Sequence, residues 1–156
     1  MGIQNLARFF REQLAPPSPE ERERDHQHRI RLATAAVLLE TAYADSSFSL
    51  AEQQNIVGYL RDRFELSEDD ARELIESAEE HRSDAVDHFA VTNVLRRNIP
   101  LDERIEIVKE MWRLVYHDGH LHQYENYLVR KLADLLGLEH HVMIDAKMAV
   151  QKEIGR

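Results

Sequence analysis

The chain predicts an all-α fold: a single-domain bundle of about seven helices, preceded by a short amphipathic helix. Three observations predict it. Five Gly and four Pro in 156 residues are few, while Ala, Leu, Glu, Arg and Gln are plentiful, a composition that favours helix over a turn-rich β fold. Apolar residues recur at three- and four-residue spacing through most of the chain, the period of a buried helix face. A helix, an acidic turn and a second helix then occur twice, with Tyr43-Ala44-Asp45 through Glu52 answered 73 positions later by Tyr116-His117-Asp118 through Glu125. Two copies predict a pseudo-twofold bundle, since a solenoid needs about three or more.

The elements follow in order. Ile3, Leu6, Ala7, Phe10 and Leu14 lie at helical spacing and predict the short N-terminal helix, which ends before the breaker Ala15-Pro16-Pro17-Ser18-Pro19. Residues 1–19 are thus read as an amphipathic segment and linker, and 20–156 as the helical domain. A stripe on so short a helix suits docking on its own domain, a protein partner or a membrane surface. Glu20 to about Ala44 is free of Gly and Pro and strongly apolar toward its end, as expected of a long helix entering a core. Ser49 and Glu52 form an S-x-x-E capping box ahead of Ile56, Val57, Leu60 and Phe64, and Ser67 to Asp70 is a similar start for a third helix. Asp84 is placed to cap a fourth, through Val86, Phe89, Ala90 and Val94, that ends near Ile99-Pro100. Ile105, Val108, Trp112 and Val115 mark the fifth; Tyr124, Leu128, Leu132 and Leu135 mark the sixth, which stops at Gly137. Glu139 to Lys152 supplies the last. Beyond the acidic turns the register slips by one, because Leu60 to Leu66 best matches Leu132 to Leu138. Tyr43, Tyr116 and Trp112 are expected at the core or its edge, with their polar ends at water.

Composition narrows the function. A formal charge of −9, from 20 basic and 29 acidic residues that form no basic cluster in sequence, works against binding nucleic acid through its phosphates. Without Cys there is no disulfide, thiolate metal site or cysteine nucleophile, which agrees with a reducing cytoplasm. The most apolar stretch, Leu32 to Ala44, is short and contains Glu40, so no transmembrane segment is expected. No Gly-rich phosphate loop, nucleophile motif or HExxH pattern accompanies the carboxylates, and no enzyme is expected.

The acidic turns are the candidate site. Asp118-Gly119-His120-Leu121 through Glu125 matches the back half of an EF-hand loop, but positions 1 and 3 fall on Leu114 and Tyr116, and in the first copy on Thr41 and Tyr43. Neither copy is a complete EF-hand. Each turn offers one Asp and one Glu, plus backbone carbonyls, a weak set for Ca²⁺ unless the two turns pool their ligands or the ion keeps several waters. A structural account is open for each residue. Glu52 and Glu125 sit where a capping glutamate belongs, better for Glu52 with Ser49 than for Glu125 with His122, and Asp45 and Asp118 suit ordinary turns. Against it, an Asp just past a helix C-terminus faces the negative end of the dipole, and this chain places one there twice. His117, His120 and His122 surround the second turn, where they offer nitrogen ligands that favour Zn²⁺ or another transition metal over Ca²⁺, but they are no part of the repeat and read as solvent-exposed loop residues; His140-His141 and Asp25-His26-Gln27-His28 show no ligand pattern.

Ala44-Asp45 with Glu52, and Asp118-Gly119 with Glu125, each followed by an amphipathic helix, resemble the TerB family of bacterial tellurite-resistance proteins over roughly residues 30–150. The resemblance implies an all-helical fold with repeats and a metal-binding role for Asp45, Glu52, Asp118 and Glu125. Ser46 stands where the family usually has Gly, which makes the second turn the better match. The expected function is a non-enzymatic cation-binding helical module in a stress-response or envelope-linked assembly with a protein partner. The alternative is a metal-independent protein-interaction bundle.

Overall fold

The structure, a computed structural model, describes residues 18–45, 49–82, 88–116 and 123–155. Among these are seven α-helices and no strand: α1 (Pro19–Ala42), α2 (Leu50–Phe64), α3 (Glu68–Arg82), α4 (His88–Asn98), α5 (Leu101–Val115), α6 (Gln123–Leu135) and α7 (His140–Glu153), with a 3₁₀ turn at Tyr43–Asp45 after α1. The expected N-terminal helix and the Asp84 cap lie outside the described residues.

The bundle is organised around α1, which packs against α2, α3, α4, α5 and α6. Its second half is apolar around most of its circumference, so Ile30, Ala33, Ala35, Val37, Leu38, Leu39 and Ala42 are all buried. Thr34 and Thr41 are buried too, and their hydroxyls donate to the carbonyls of Ile30 and Val37 one turn back, which satisfies them without a partner helix. The helix begins one residue earlier than the sequence reading placed it. Ser18 accepts from the Glu21 amide at 3.1 Å, Glu21 reaches back to the Ser18 amide at 3.3 Å, and Pro19 fills the first helical position, where its missing N–H costs nothing.

The internal repeat is longer than a helix, a turn and a helix. α1 and α5 end 73 residues apart, at Ala42 and Val115, and α2 and α6 begin 73 apart, at Leu50 and Gln123. Both first helices end on a tyrosine with nearly the same backbone, Tyr43 at φ −81, ψ 0 and Tyr116 at φ −90, ψ 0. After the one-residue slip, α3 and α7 begin 72 apart. The two tyrosines also reach equivalent places on those third helices: the Tyr43 hydroxyl donates to Glu79 on α3 at 2.9 Å, and the Tyr116 hydroxyl accepts from Gln151 on α7 at 2.9 Å. Each unit is thus three mutually packed helices, α1–α3 and α5–α7, and α4 bridges them by packing on α1, α5 and α6.

Three details of the sequence reading are corrected. Trp112 is fully buried with its indole N–H, rather than turned toward water, because it lies under α7 with the Lys147 ammonium 5.0 Å from its ring centre. On α6, Tyr124 is exposed and the buried face is Leu128, Val129, Leu132, Ala133 and Leu136. On α4, Phe89 and Ala90 are exposed while Thr92 and Leu95 are buried. Both helices pack along a face set by their later turns, and a residue shifted by one position rotates about 100° off it.

Two carboxylates outside the acidic turns are tied to one arginine. Arg113 donates to Glu110 at 3.1 Å and to Glu153 on α7 through two bonds, at 2.7 and 3.2 Å. Burial raises the Glu110 pKa despite Arg113, whereas at exposed Glu153 the Arg113 hydrogen bond lowers it. The raised group favours the fold below its unfolded pKa and loses that contribution as pH rises through its folded value; the lowered one behaves in the opposite sense. Glu110→Gln is therefore expected to stabilise near pH 7 by on the order of 1 kcal/mol or less, with the gain gone by about pH 4. Glu153→Gln should cost about 0.2–1 kcal/mol near neutrality, as for an exposed pair. Thermal melts across that pH range check both signs.

Candidate functional site

Each acidic turn is held between a helix that ends on a tyrosine and a helix whose third residue is a glutamate. In the first, α1 closes into the 3₁₀ turn Tyr43-Ala44-Asp45, and the chain re-enters helix at Ser49, whose backbone is extended at φ −77, ψ 159. The Ser49 hydroxyl oxygen accepts from the Glu52 amide at 3.1 Å, and the hydroxyl donates to Glu52 Oε1 at 3.1 Å. Ser49 thus caps α2 as S-x-x-E predicts, and Glu52 is itself buried, at 7% exposure.

The second turn gives the same result for its glutamate. Glu125 is the third residue of α6, as Glu52 is of α2, and is 4% exposed. A carboxylate withdrawn from water needs hydrogen bonds, a cation or a metal ion to offset the lost hydration. The duplication therefore places one such demand at the start of each second helix. Asp118, with Gly119 and the three flanking histidines, lies outside the described residues, as does the Asp45 side chain.

The packing brings elements of the two turns together. α6, which carries Glu125, lies against the Tyr43–Asp45 turn and against α1. The helix that carries Glu125 thus lies beside the 3₁₀ turn that opens the first acidic segment. Among the described residues no group of three or more His, Asp or Glu forms a metal cage. The donors that are described, Glu52 and Glu125, are carboxylate oxygens, which suit hard divalent cations such as Ca²⁺, Mg²⁺ or Mn²⁺.

Sequence reasoning missed that the glutamates would be buried, although the signal was there. Glu125 falls on the face of Leu128, Val129, Leu132 and Leu136, and Glu52 on that of Ile56 and Leu60, all of them buried. An acidic residue in register with an apolar stripe is the pattern to look for.

These features define an all-α module built from a duplicated three-helix unit with a buried glutamate in each copy. The chain belongs to the TerB family: the model for Tellurite resistance protein TerB matches residues 31–148, well over half of its length. The match begins inside α1 and ends inside α7, so it spans both units and α4. No curated protein and no solved structure matches the chain.

Proposed function

We propose that this TerB domain is a non-enzymatic cation-binding module, with Asp45, Glu52, Asp118 and Glu125 as its ligands, serving a stress-response or envelope-associated assembly in the cytoplasm. The observation that carries the reading is the burial of Glu52 and Glu125 at equivalent positions. Two desolvated carboxylates at the starts of repeated helices are oxygen donors of the kind a divalent ion takes. The packing of α6 on the first acidic turn supports ligands pooled from both copies.

Titration with Ca²⁺, Mg²⁺, Mn²⁺ and Zn²⁺ in a calorimeter, with melting curves in metal and in chelator, is the test. Binding to N alone raises the melting temperature with metal concentration, by the equivalent of about 2.7 kcal/mol at a hundredfold excess over Kd. Glu125→Gln is expected to weaken the preferred ion at least tenfold. Glu52→Gln should weaken it less, because Ser49 still satisfies part of that side chain. An absence of heat together with unchanged melting curves would sink the proposal.

One observation favours the metal-independent interaction bundle: the Ser49–Glu52 hydrogen bonds give Glu52 a structural task that needs no ion. Under that reading a protein partner docks through an apolar surface or through residues 1–14, the segment that could also meet a membrane surface. Capture of such a partner should then survive Glu125→Gln and fail on deletion of residues 1–14.

A further inference from the structure

The charges of the second unit are arranged unlike those of the first. A cleft of about 540 Å³ opens between α6 and α7, lined by Tyr127, Arg130, Lys131 and His140, with Leu138 and Met143 at its apolar wall. Arg130 and Lys131 are exposed, and among the described residues neither they nor Lys147 forms an ion pair. Asp134 is the one carboxylate in the lining. In the first unit the matching stretch of α2 is Val57-Gly58-Tyr59, which carries no charge at either offset of the repeat.

Lys147 adds a third cation from the α7 side. It stands where the first unit has Ile75, a residue buried to 2%, 72 positions earlier. Its ammonium donates to Asn126, another lining residue, at 3.0 Å and lies 5.0 Å from the Trp112 ring centre. Burial lowers its pKa, and repulsion from Arg130 lowers it further. Neighbouring like charges repel, and an anion bound beside them relieves the repulsion. The α7 N-terminus adds to the same field: the side chain of Glu139 at its N-cap makes no capping bond, while Ser67 at the matching start of α3 accepts from the Asp70 amide at 3.1 Å.

We infer that the α6–α7 cleft binds a phosphoryl group, with Arg130 as the planar fork, Lys131 as a point charge, Lys147 adding its field from beside the cleft, and exposed Tyr127 as a flat wall. Arg matches the paired oxygens of a phosphate, and a volume within about 300–1,000 Å³ is that of a small-molecule site. The group arrives either on a free phosphorylated small molecule or on a phospholipid headgroup. On a protein of net charge −9, a cleft lined by Arg130 and Lys131 against the one acid Asp134, with Lys147 beside it, is a selective feature, and it does not depend on the acidic turns.

The test is a titration of the full chain with inorganic phosphate in a phosphate-free buffer, followed by amide chemical shifts, alongside cosedimentation with phosphatidylcholine vesicles and with vesicles that also contain phosphatidic acid. Saturable shifts at Asn126 to Asp134 and at His140 to Met143 are expected. Arg130→Ala with Lys131→Ala should weaken them at least tenfold, whereas Arg22→Ala with Arg24→Ala, on the exposed start of α1, should leave them unchanged. Asp134→Asn should tighten binding severalfold, a readout that does not depend on removing a cation. Retention on phosphatidic-acid vesicles that the Arg130/Lys131 pair of substitutions abolishes assigns the headgroup as the source; a response to free phosphate alone assigns the small molecule. Cleft amides that respond to neither phosphate nor vesicles overturn the inference. So do shifts that persist unchanged in the double variant, or a cleft that takes polyglutamate and not phosphate, which is the signature of an acidic peptide site.

Discussion

Trp112→Ala is expected to destabilise the fold by about 3–5 kcal/mol, the range for emptying a large aromatic from a packed core. Trp112 is fully buried on α5, its ring centre lies 6.2 Å from that of Tyr116, and Lys147 of α7 covers it. The loss therefore falls on the α5–α7 contact, which holds the second three-helix unit together. Against a total stability of about 5–15 kcal/mol, such a loss removes about a fifth or more of the margin. At this chain length it lowers the melting temperature by about 10 °C. Two further variants separate the contributions. Trp112→Phe should cost much less, about 1 kcal/mol, because it keeps a ring and deletes an indole N–H that has no hydrogen-bond partner among the described residues. Trp112→Leu installs the residue found 73 positions earlier, Leu39, itself fully buried, and should fall between them. Equilibrium denaturation of the three variants decides the matter; an alanine variant within 1 kcal/mol of the parent would contradict the packing of α7 on α5.

The fold was largely legible because its signals are local. Ser49 and Ser67 cap the helices they were expected to cap, Pro100 stands between α4 and α5, and Gly137 follows the end of α6. Each of these depends only on the backbone within one turn of itself, so sequence alone reports it. Facing was less legible. At the start of α6, a count of hydrophobic residues turns Tyr124 inward and Glu125 outward, and the structure does the reverse. Adjacent helical residues point about 100° apart, so one of the two had to be exposed. The later turns of α6, anchored by Leu128 and Leu132, choose which.

What could not be read from sequence is what depends on two elements meeting. The third helix of the repeat was hidden because its equivalent contacts use different residues, Glu79 as acceptor in one copy and Gln151 as donor in the other. The basic cleft was hidden because Arg130 and Lys147 belong to different helices and become neighbours only through the packing of α6 on α7. For the acidic turns, the sequence named Asp45, Glu52, Asp118 and Glu125 from spacing and resemblance. The structure adds burial to the two glutamates and bears out Ser49 as the hydrogen-bond partner of Glu52.

Gly137→Ala is expected to cost about 2–3 kcal/mol, from a left-handed backbone and a displaced arginine together. Gly137 has φ +84 and closes α6 in a Schellman turn: its amide donates to the Asp134 carbonyl at 2.9 Å, and the Leu138 amide to the Ala133 carbonyl at 3.1 Å. A Cβ there would lie 2.7 Å from Arg104 Nη1 and 3.1 Å from Arg96 Nε. The far end of an arginine usually yields at little cost, but Arg104 is held. Its Nη1 donates to the Leu136 carbonyl at 2.6 Å and its Nε to the Ile99 carbonyl at 3.2 Å, so moving it breaks the tie between the end of α6 and the α4–α5 junction. The repeat supplies the control. Glu65, 72 residues earlier, occupies the same place after α2 in the same left-handed region at φ 54, followed by the Leu66 amide bonding to the Arg61 carbonyl at 3.1 Å. Because Glu65 is exposed, Glu65→Gly changes the backbone preference and little else. It should stabilise by about 0.5–1 kcal/mol, the relief of the left-handed strain less the added chain entropy of glycine. Opposite signs at these two positions, measured by denaturant midpoints at constant slope, are what one shared cap geometry requires. Equal signs would mean that the two units end their second helices differently, and that the register slip between the repeats has another origin.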